Sequence, residues 1–318
     1  MTSENYYSSA KIPFLQKISE LISIVTIVHL RRVLKPKEEI DRVFSDFEEY
    51  NHLLSQYSNT SLQCAKVLEV GFGARPIRLI SLTSMGIDVR GVDIEKPVLK
   101  GSPQEFLEIF KKNGAERLIK SLFRFTLFDS LERYHLSQSL RQKNYHMTIQ
   151  ADRFLVSDAA QLDIPPASLD LIYSEDVFEH IPPDSLKALI PKMATWLKPE
   201  GLALIRPSIF TGITGGHLAE WFPQALDNPS MQRKSEPWEH LRKKRYLENT
   251  YLNQFSRADF RHLFSQSFEI LEERVKDPEM GKSFFSEEIA ADLVNYPEEE
   301  LFSNLVMFVL KPKSPTAH

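Results

Sequence analysis

The sequence predicts an α/β protein: a doubly wound, mostly parallel seven-stranded sheet of Rossmann-like form. An antiparallel last strand, N-terminal helices and helical insertions complete the expected architecture. Three observations carry this prediction. From residue 65 onward, short β-branched runs alternate with helical patterns, the texture of strand–helix–strand units. The first run passes directly into Gly71-Phe72-Gly73, a strand entering a glycine-bearing turn. Glycine is otherwise scarce, 11 in 318 residues, about half of the roughly 7% usual in globular chains. Yet 71, 73, 212, 215 and 216 all fall just beyond the first and fifth expected strands.

Each element follows from local pattern. Leu21, Ile24, Val25 and Val28 lie along one helical face, and Val43, Phe47, Leu53 and Leu54 mark a second helix. AKVLEV (65–70) is the first strand. PIRLISLTSM (76–85) is a helix that Gly86 ends, with Pro76 near its first turn. DVRGVDI (88–94), RFLVSD (153–158) and LDLIYS (169–174) are strands two to four. A helix capped by Asp184 or Ser185 carries Leu186, Leu189, Ile190, Met193, Trp196 and Leu197 at helical spacing. Pro191 falls inside it and predicts a kink or break. LALIRP (202–207) is strand five, SRAD (256–259) a helix start, and FEILEERV (268–275) and NLVMFVLK (304–311) two antiparallel strands. The last of these is expected at the end of the sheet.

Two long segments interrupt the alternation. Residues 95–150 look helical and carry 10 Lys/Arg against 6 Asp/Glu. Residues 208–255 mix aromatic and polar side chains.

Composition excludes several classes. Net charge is −4, so nothing draws the whole chain to nucleic acid or anionic lipid. The single cysteine, Cys64, rules out an intrachain disulfide framework and a cysteine-rich zinc site. The start, MTSENYYSSA, is not a secretory signal, which points to a cytoplasmic protein. Leu21 to Leu34 is too short in its apolar part to span a bilayer. It reads as a helix packed on the domain, or as an interfacial helix with Arg31 and Arg32 near headgroups, a peripheral membrane contact.

The turn after strand one has the chemistry of a nucleotide-type pocket, with glycines that admit a ligand to the backbone and free N–H groups at a helix start. Glu69 refines that reading. A carboxylate here would repel the pyrophosphate of a dinucleotide and suits a cofactor carrying positive charge. Pro76 also stands where a dinucleotide fingerprint needs glycine or alanine, which argues against a nicotinamide-dependent oxidoreductase. Asp93, 22 residues after Gly71, lies where an acid takes ribose hydroxyls. A solvated strand-end acid is the competing reading for Asp93 and Asp158.

VLEVGFGARP, GVDIE, SDAAQLDIP, LDLIYSEDVFEHIPPDSLKAL and WLKPEGLALI, in this order, resemble the class I S-adenosylmethionine-dependent methyltransferases, and among them the broad "type 11" small-molecule subgroup. The likeness covers about 65–208, with the fold extending to 311. Arg75 departs from the family pattern, which commonly has a third glycine there. The resemblance implies S-adenosylmethionine as cofactor. It places Glu69, Gly71 and Gly73 around the methionine part, Asp93 on the ribose diol and Ile94 beside the adenine. Asp158 would receive the adenine amino group with Ala159 following, while Ser174 and Glu175 would close the pocket. It divides the chain into an N-terminal helical lid, 1–60, and a methyltransferase domain, 61–313, with the inserts 95–150 and 208–255.

The methyl acceptor is expected beyond strands four and five. His180, where the family usually has a histidine, and His217, which follows Gly212, Gly215 and Gly216, are the candidate catalytic residues for taking a hydroxyl proton. Packing at a helix start or in a plain turn is the alternative for each. The three glycines suggest a backbone shaped around a ligand. Trp221, Trp238, His240 and Tyr251 either line a substrate pocket or pack the insert. No ligand spacing supports a metal. Ser174-Glu175-Asp176-Val177 stands where a nucleic-acid amino-methylase would carry Asn-Pro-Pro-Tyr, so no nucleic-acid partner is expected. Arg242-Lys243-Lys244-Arg245 reads as a solvated face or an anion contact. The expected activity is methyl transfer to a small-molecule acceptor, most plainly an O-methylation of a sugar or other polyhydroxy metabolite. The alternatives are a non-catalytic cofactor-binding homologue and an enzyme acting on a lipid-linked acceptor.

Overall fold

The computed structural model describes residues 35–226, 228, 231–245 and 251–313. The expected helix over 21–28 and the interfacial segment 21–34 lie outside the described residues. Among those residues, no helix is long and apolar enough to cross a membrane.

Seven strands form one sheet in the order β3-β2-β1-β4-β5-β7-β6. They are β1 (Lys66–Val70), β2 (Asp88–Asp93), β3 (Phe154–Val156), β4 (Leu169–Glu175), β5 (Leu197–Arg206), β6 (Phe268–Val275) and β7 (Val306–Pro312). β1 pairs in parallel with β2 and β4, β2 with β3, and β4 with β5. β7 is antiparallel to both of its neighbours. The fold class is the expected one, with one difference. β7 slots between β5 and β6 rather than joining at the end. Its VMFVL run is buried throughout, whereas β6 is mostly half-buried, so the continuous apolar strand takes the interior position and the mixed one the edge.

The order reverses between β1 and β4, and the crevice above their carboxyl ends is where such a sheet binds ligands. Helices cover both faces. α1 (Pro36–Tyr57), α2 (Ile77–Ser84) and α4 (Ser130–Gln142) lie on one side. There Phe44, Phe47, Leu53, Leu79, Leu136 and Leu140 share a core with Val67, Val89 and Leu171. α5 (Pro183–Trp196) and α6 (Arg257–Ser265) cover the other side, packing Leu186, Met193, Phe260 and Phe264 on Leu68, Ile172 and Phe308.

The 95–150 insert is helical as expected. α3 (Pro103–Arg124) opens on a Ser102–Glu105 capping box and is interrupted at Gly114, where φ is +81°. A π turn at Phe125–Asp129 leads into α4. α6 starts on the Ser256–Asp259 capping box. Pro191 does not end α5, which continues as one helix from Pro183 to Trp196. Both Pro191 and Lys187, whose carbonyl loses its donor, are exposed, so water can satisfy the orphaned oxygen.

Candidate active site

A cleft of about 460 Å³ opens at the carboxyl end of the sheet, over the switch point. Gly71, Gly73, Asp93, Ile94, Asp158 and Ala159 all line it. The turn after β1 is held by backbone geometry that other residues resist: φ is +83° at Gly71 and +64° at Gly73. A Cβ on Gly71 would also fall 2.4 Å from the Val177 side chain. At Gly73 the same position is open space, so a ligand can approach its backbone. The Gly71 N–H donates to the Val92 carbonyl at 2.8 Å, tying the turn to β2.

Asp93 ends β2 with its carboxylate fixed. Oδ2 accepts from the Gly73 N–H and Oδ1 from the Glu95 N–H, both at 2.8 Å. A carboxylate oxygen has two lone pairs and can accept from more than one donor. Ile94 beside it is 76% exposed, an apolar platform at the cleft. Asp158 Oδ1 accepts from the Ala160 N–H at 2.9 Å and caps a short turn.

The other three expected cofactor residues lie off the cleft wall. Glu69 is buried behind the turn, 5% exposed, with Oε2 unpartnered. Burial raises its pKa to about 8, against the pull of Arg78. Ser174 turns inward, its hydroxyl donating to the Val70 carbonyl at 2.7 Å. Glu175 is buried against Tyr50 and Arg206. Ser174 and Glu175 therefore do not close the pocket; Asp176 and Val177 line it in their place. The reason is the pleat at the end of β4. A further turn of the chain, with Asp176 at φ +54°, aims the next side chain at the cleft.

Glu175 belongs to a buried charge network whose members lie far apart in the sequence. The Arg206 guanidinium donates to Asp46 Oδ1 at 3.0 Å and Oδ2 at 3.2 Å. Arg78 donates to Asp46 Oδ2 at 2.7 Å. Tyr50 donates to Glu175. Burial raises the Glu175 pKa to about 7, while Arg206 and Arg78 oppose the shift. Desolvation also pushes Asp46 upward, but the two arginines outweigh it and hold the acid below its usual range. Asp46 and Tyr50 come from α1, more than a hundred positions from Arg206. Their only local signal was a charged residue and a tyrosine on an otherwise apolar helix face.

On the acceptor side His180 lines the cleft and His217 stands against it, the rings 5.0 Å apart and perpendicular. His180 Nδ1 lies 2.9 Å from the Tyr251 carbonyl. A carbonyl only accepts, so Nδ1 carries the proton and Nε2 the lone pair. Burial lowers the His180 pKa. It lowers His217 to about 3, with His180 and His240 adding to the shift. His217 is thus a neutral imidazole near pH 7.

The glycines before it do not shape a ligand site. A Cβ on Gly212 would meet Asn304, on Gly215 the Phe210 carbonyl, and on Gly216 the His240 ring. The loop is moulded around its own side chains. Trp221 and Trp238 are core, with indole N–H groups on Ser235 Oγ and the Thr211 carbonyl. His240 is buried with Nε2 against the Phe210 carbonyl. Of the four candidate pocket residues only Tyr251 reaches the surface, and its carbonyl positions His180. In the basic run, Arg242 and Lys243 are committed to Glu236 at 2.8 and 2.6 Å.

The fold and the glycine turn with its strand-end acids define a nucleotide-cofactor enzyme of the doubly wound class. Residues 41–272 match the family described as "Methyltransferase domain". The chain belongs to that family; S-adenosylmethionine is the cofactor that its sequence resemblance implies. No curated protein matches the chain in sequence. Similar solved structures include SAM-dependent methyltransferases from Methanosarcina mazei (16% identity, 80% of this chain and 95% of that one, TM-score 0.41) and Archaeoglobus fulgidus (16%, 84% and 94%, 0.39). An S-adenosylmethionine-dependent methyltransferase from Mesorhizobium loti is another (11%, 83% and 97%, 0.41). At these similarities the family match alone carries the assignment.

The residues present fit the cofactor. The open space at Gly73, the fixed acceptor pair on Asp93 and the exposed Ile94 platform lie on one wall. Glu69 supplies a buried carboxylate oxygen, Oε2, without a hydrogen-bond partner behind the same turn.

Proposed function

We propose that the protein transfers the methyl group of S-adenosylmethionine to a hydroxyl of a small-molecule acceptor bound beside His180. One observation carries this reading: the cofactor wall of the cleft ends against His180, whose Nε2 is a lone pair and whose orientation the Tyr251 carbonyl fixes. The cofactor supplies a methyl group on a sulfonium that leaves as a neutral thioether. The protein's part is to align the acceptor and help its proton depart.

In this reading Asp93 holds the ribose diol, Ile94 packs on the adenine and Asp158 meets its amino group. Gly71 and Gly73 admit the methionine part, with Glu69 as the buried counter-charge. His180 and His217 serve the acceptor's proton. Residues 1–60 act as the cover over this end of the sheet, which the contact of Asp46 and Tyr50 with β4 and β5 supports. Calorimetry with S-adenosylmethionine tests the cofactor half, and mass spectrometry over a panel of hydroxyl, amine and thiol acceptors tests the other. Mass gains confined to amine or thiol acceptors would overturn the hydroxyl assignment.

A second reading, a lipid-linked acceptor, draws on the insert. Leu107, Phe110, Ile119, Leu122, Phe123 and Leu127 are all exposed on or just after α3, an apolar surface of the kind that meets another apolar phase. Flotation with anionic liposomes, with and without residues 1–40, separates this reading from the first.

A further inference from the structure

We propose that Glu179, His180 and His217 form a binding site for a divalent first-row transition ion at the acceptor end of the cleft. One ligand atom from each residue falls within 4.8 Å of the other two. Ligands at about 2.1 Å from a common ion lie at most about 4.2 Å apart, so shifts on the order of 1 Å close the site.

Three features of the surroundings point the same way. The first is Glu179. Its side chain is 5% exposed, and neither carboxylate oxygen makes a hydrogen bond of normal geometry. Burial pushes the Glu179 pKa well up, against weak support from the Glu179 and Ser208 backbone N–H groups, and a carboxylate held this way either keeps a proton or takes a cation as its partner. His180 Nε2 stands 3.9 Å from Glu179 Oε1. That is too far for a hydrogen bond and open enough for an ion between them. The second is His180. Its Nδ1 proton is spent on the Tyr251 carbonyl at 2.9 Å, and Nε2 is left to coordinate. A metal-bound histidine is nearly always oriented by such a partner on its other nitrogen. The third is His217. Its backbone is held at φ +53°, where non-glycine residues are uncommon. The turn that imposes this, with the His217 N–H donating to the Thr214 carbonyl at 3.0 Å, brings the ring perpendicular to that of His180.

Two imidazoles and a carboxylate suit zinc, manganese or iron(II) better than magnesium or calcium. Asp176, on the cleft wall, adds negative charge beside Glu179. Since His180 lines the cleft, an ion here would keep a coordination position toward the acceptor. This role rests on the methyl-transfer reading above. A hydroxyl bound to the ion becomes more acidic and its proton passes to water. The oxygen pair then forms the O–C bond as the S–C bond breaks and its electrons return to sulfur. His180 and His217 would in that case act as ligands rather than as bases.

The test is metal uptake itself, independent of turnover. Full-length protein is stripped with chelator and titrated with Zn²⁺, Mn²⁺ and Mg²⁺ against a chromophoric chelator, and with Co²⁺ by visible absorption. The expected result is one Zn²⁺ per chain with submicromolar Kd and a Co²⁺ band in the visible. Mg²⁺ should bind at least a hundredfold more weakly. Glu179→Gln and His217→Ala should each weaken Zn²⁺ by a hundredfold or more, and exposed His146→Ala should leave it unchanged. Absence of the Co²⁺ band in wild type, or Zn²⁺ binding by the two variants equal to wild type, overturns the proposal. Because the wild-type spectrum decides alone, a variant that fails to fold does not shield it. Cofactor calorimetry on the same stripped protein keeps the two questions apart. Intact S-adenosylmethionine binding with no metal uptake removes only the metal site.

Discussion

The two ends of the cleft are built differently. The cofactor wall is local: the turn after β1 and the tips of β2 and β3 supply Gly71, Gly73, Asp93 and Asp158 within a few residues of a strand end. The acceptor end is assembled from distant pieces. His180 follows β4, His217 follows β5, the Tyr251 carbonyl comes from the far end of the 208–255 insert, and the network beneath it draws Asp46 and Tyr50 from α1. A local site depends on backbone shape and should lose binding when mutated while the fold survives. A composite site depends on tertiary packing and should lose the fold first.

The largest expected effect is therefore at Arg206. Removing it leaves Asp46 and Glu175 buried without their shared cation. Stranding one side of a buried ion pair costs about 3–5 kcal/mol. Urea unfolding of Arg206→Ala should show a loss of that order, and a loss under about 1 kcal/mol would mean the network is not what joins α1 to the sheet. Asp93→Ala, on the cofactor wall, should do the reverse. Two hydrogen bonds to a charged group at about 1.5 kcal/mol each correspond to roughly a hundredfold in Kd. Calorimetry should find that weakening for S-adenosylmethionine, with a loss of stability well below that of Arg206→Ala as the Gly73 and Glu95 N–H groups lose their acceptor. Equal binding by both proteins removes Asp93 from the site.

The same division explains what could be read in the sequence. The succession of strands, the glycine turn and the strand-end acids follow from short-range patterns, and six of the nine expected cofactor residues line the cleft. Glu175 was misplaced because its partners Tyr50 and Arg206 sit far away in sequence, and pleat direction at a strand's end turns on a single extra residue, Asp176. Gly212, Gly215 and Gly216 illustrate a different limit. Close approach requires glycine equally against a ligand or against Asn304, Phe210 and His240, and residue identity alone does not distinguish the two. The apolar run of β7 announced a strand, but its place between β5 and β6 is a tertiary choice.

Gly215→Ala sharpens this point. Its new methyl would fall 2.1 Å from the Phe210 carbonyl, an overpacking of the kind that costs about 1–3 kcal/mol. The melting temperature should drop while the Kd for S-adenosylmethionine changes less than twofold. A selective loss of cofactor affinity without destabilisation would restore these glycines to the ligand site.

The finest distinction lies at Glu69, which is buried like the network but placed behind the cofactor turn. Burial lifts its pKa to about 8 in the folded chain, against about 4.3 unfolded. The native state therefore binds the proton more tightly. Its contribution to stability is complete below the unfolded value and is lost as pH rises through about 8. Between pH 5 and pH 9 Glu69 should thus subtract stability from wild type, and the stability of Glu69→Gln should fall less steeply, or rise more, over that range than that of wild type. If the carboxylate also faces the cationic methionine end of the cofactor, binding must ionise it. Calorimetry near pH 7 in buffers of different ionisation enthalpy should then reveal a proton released on S-adenosylmethionine binding by wild type and not by Glu69→Gln. That change in the stability profile without proton release would assign Glu69 to the interior alone. Both effects together would make it the one residue in which the local wall and the buried network meet.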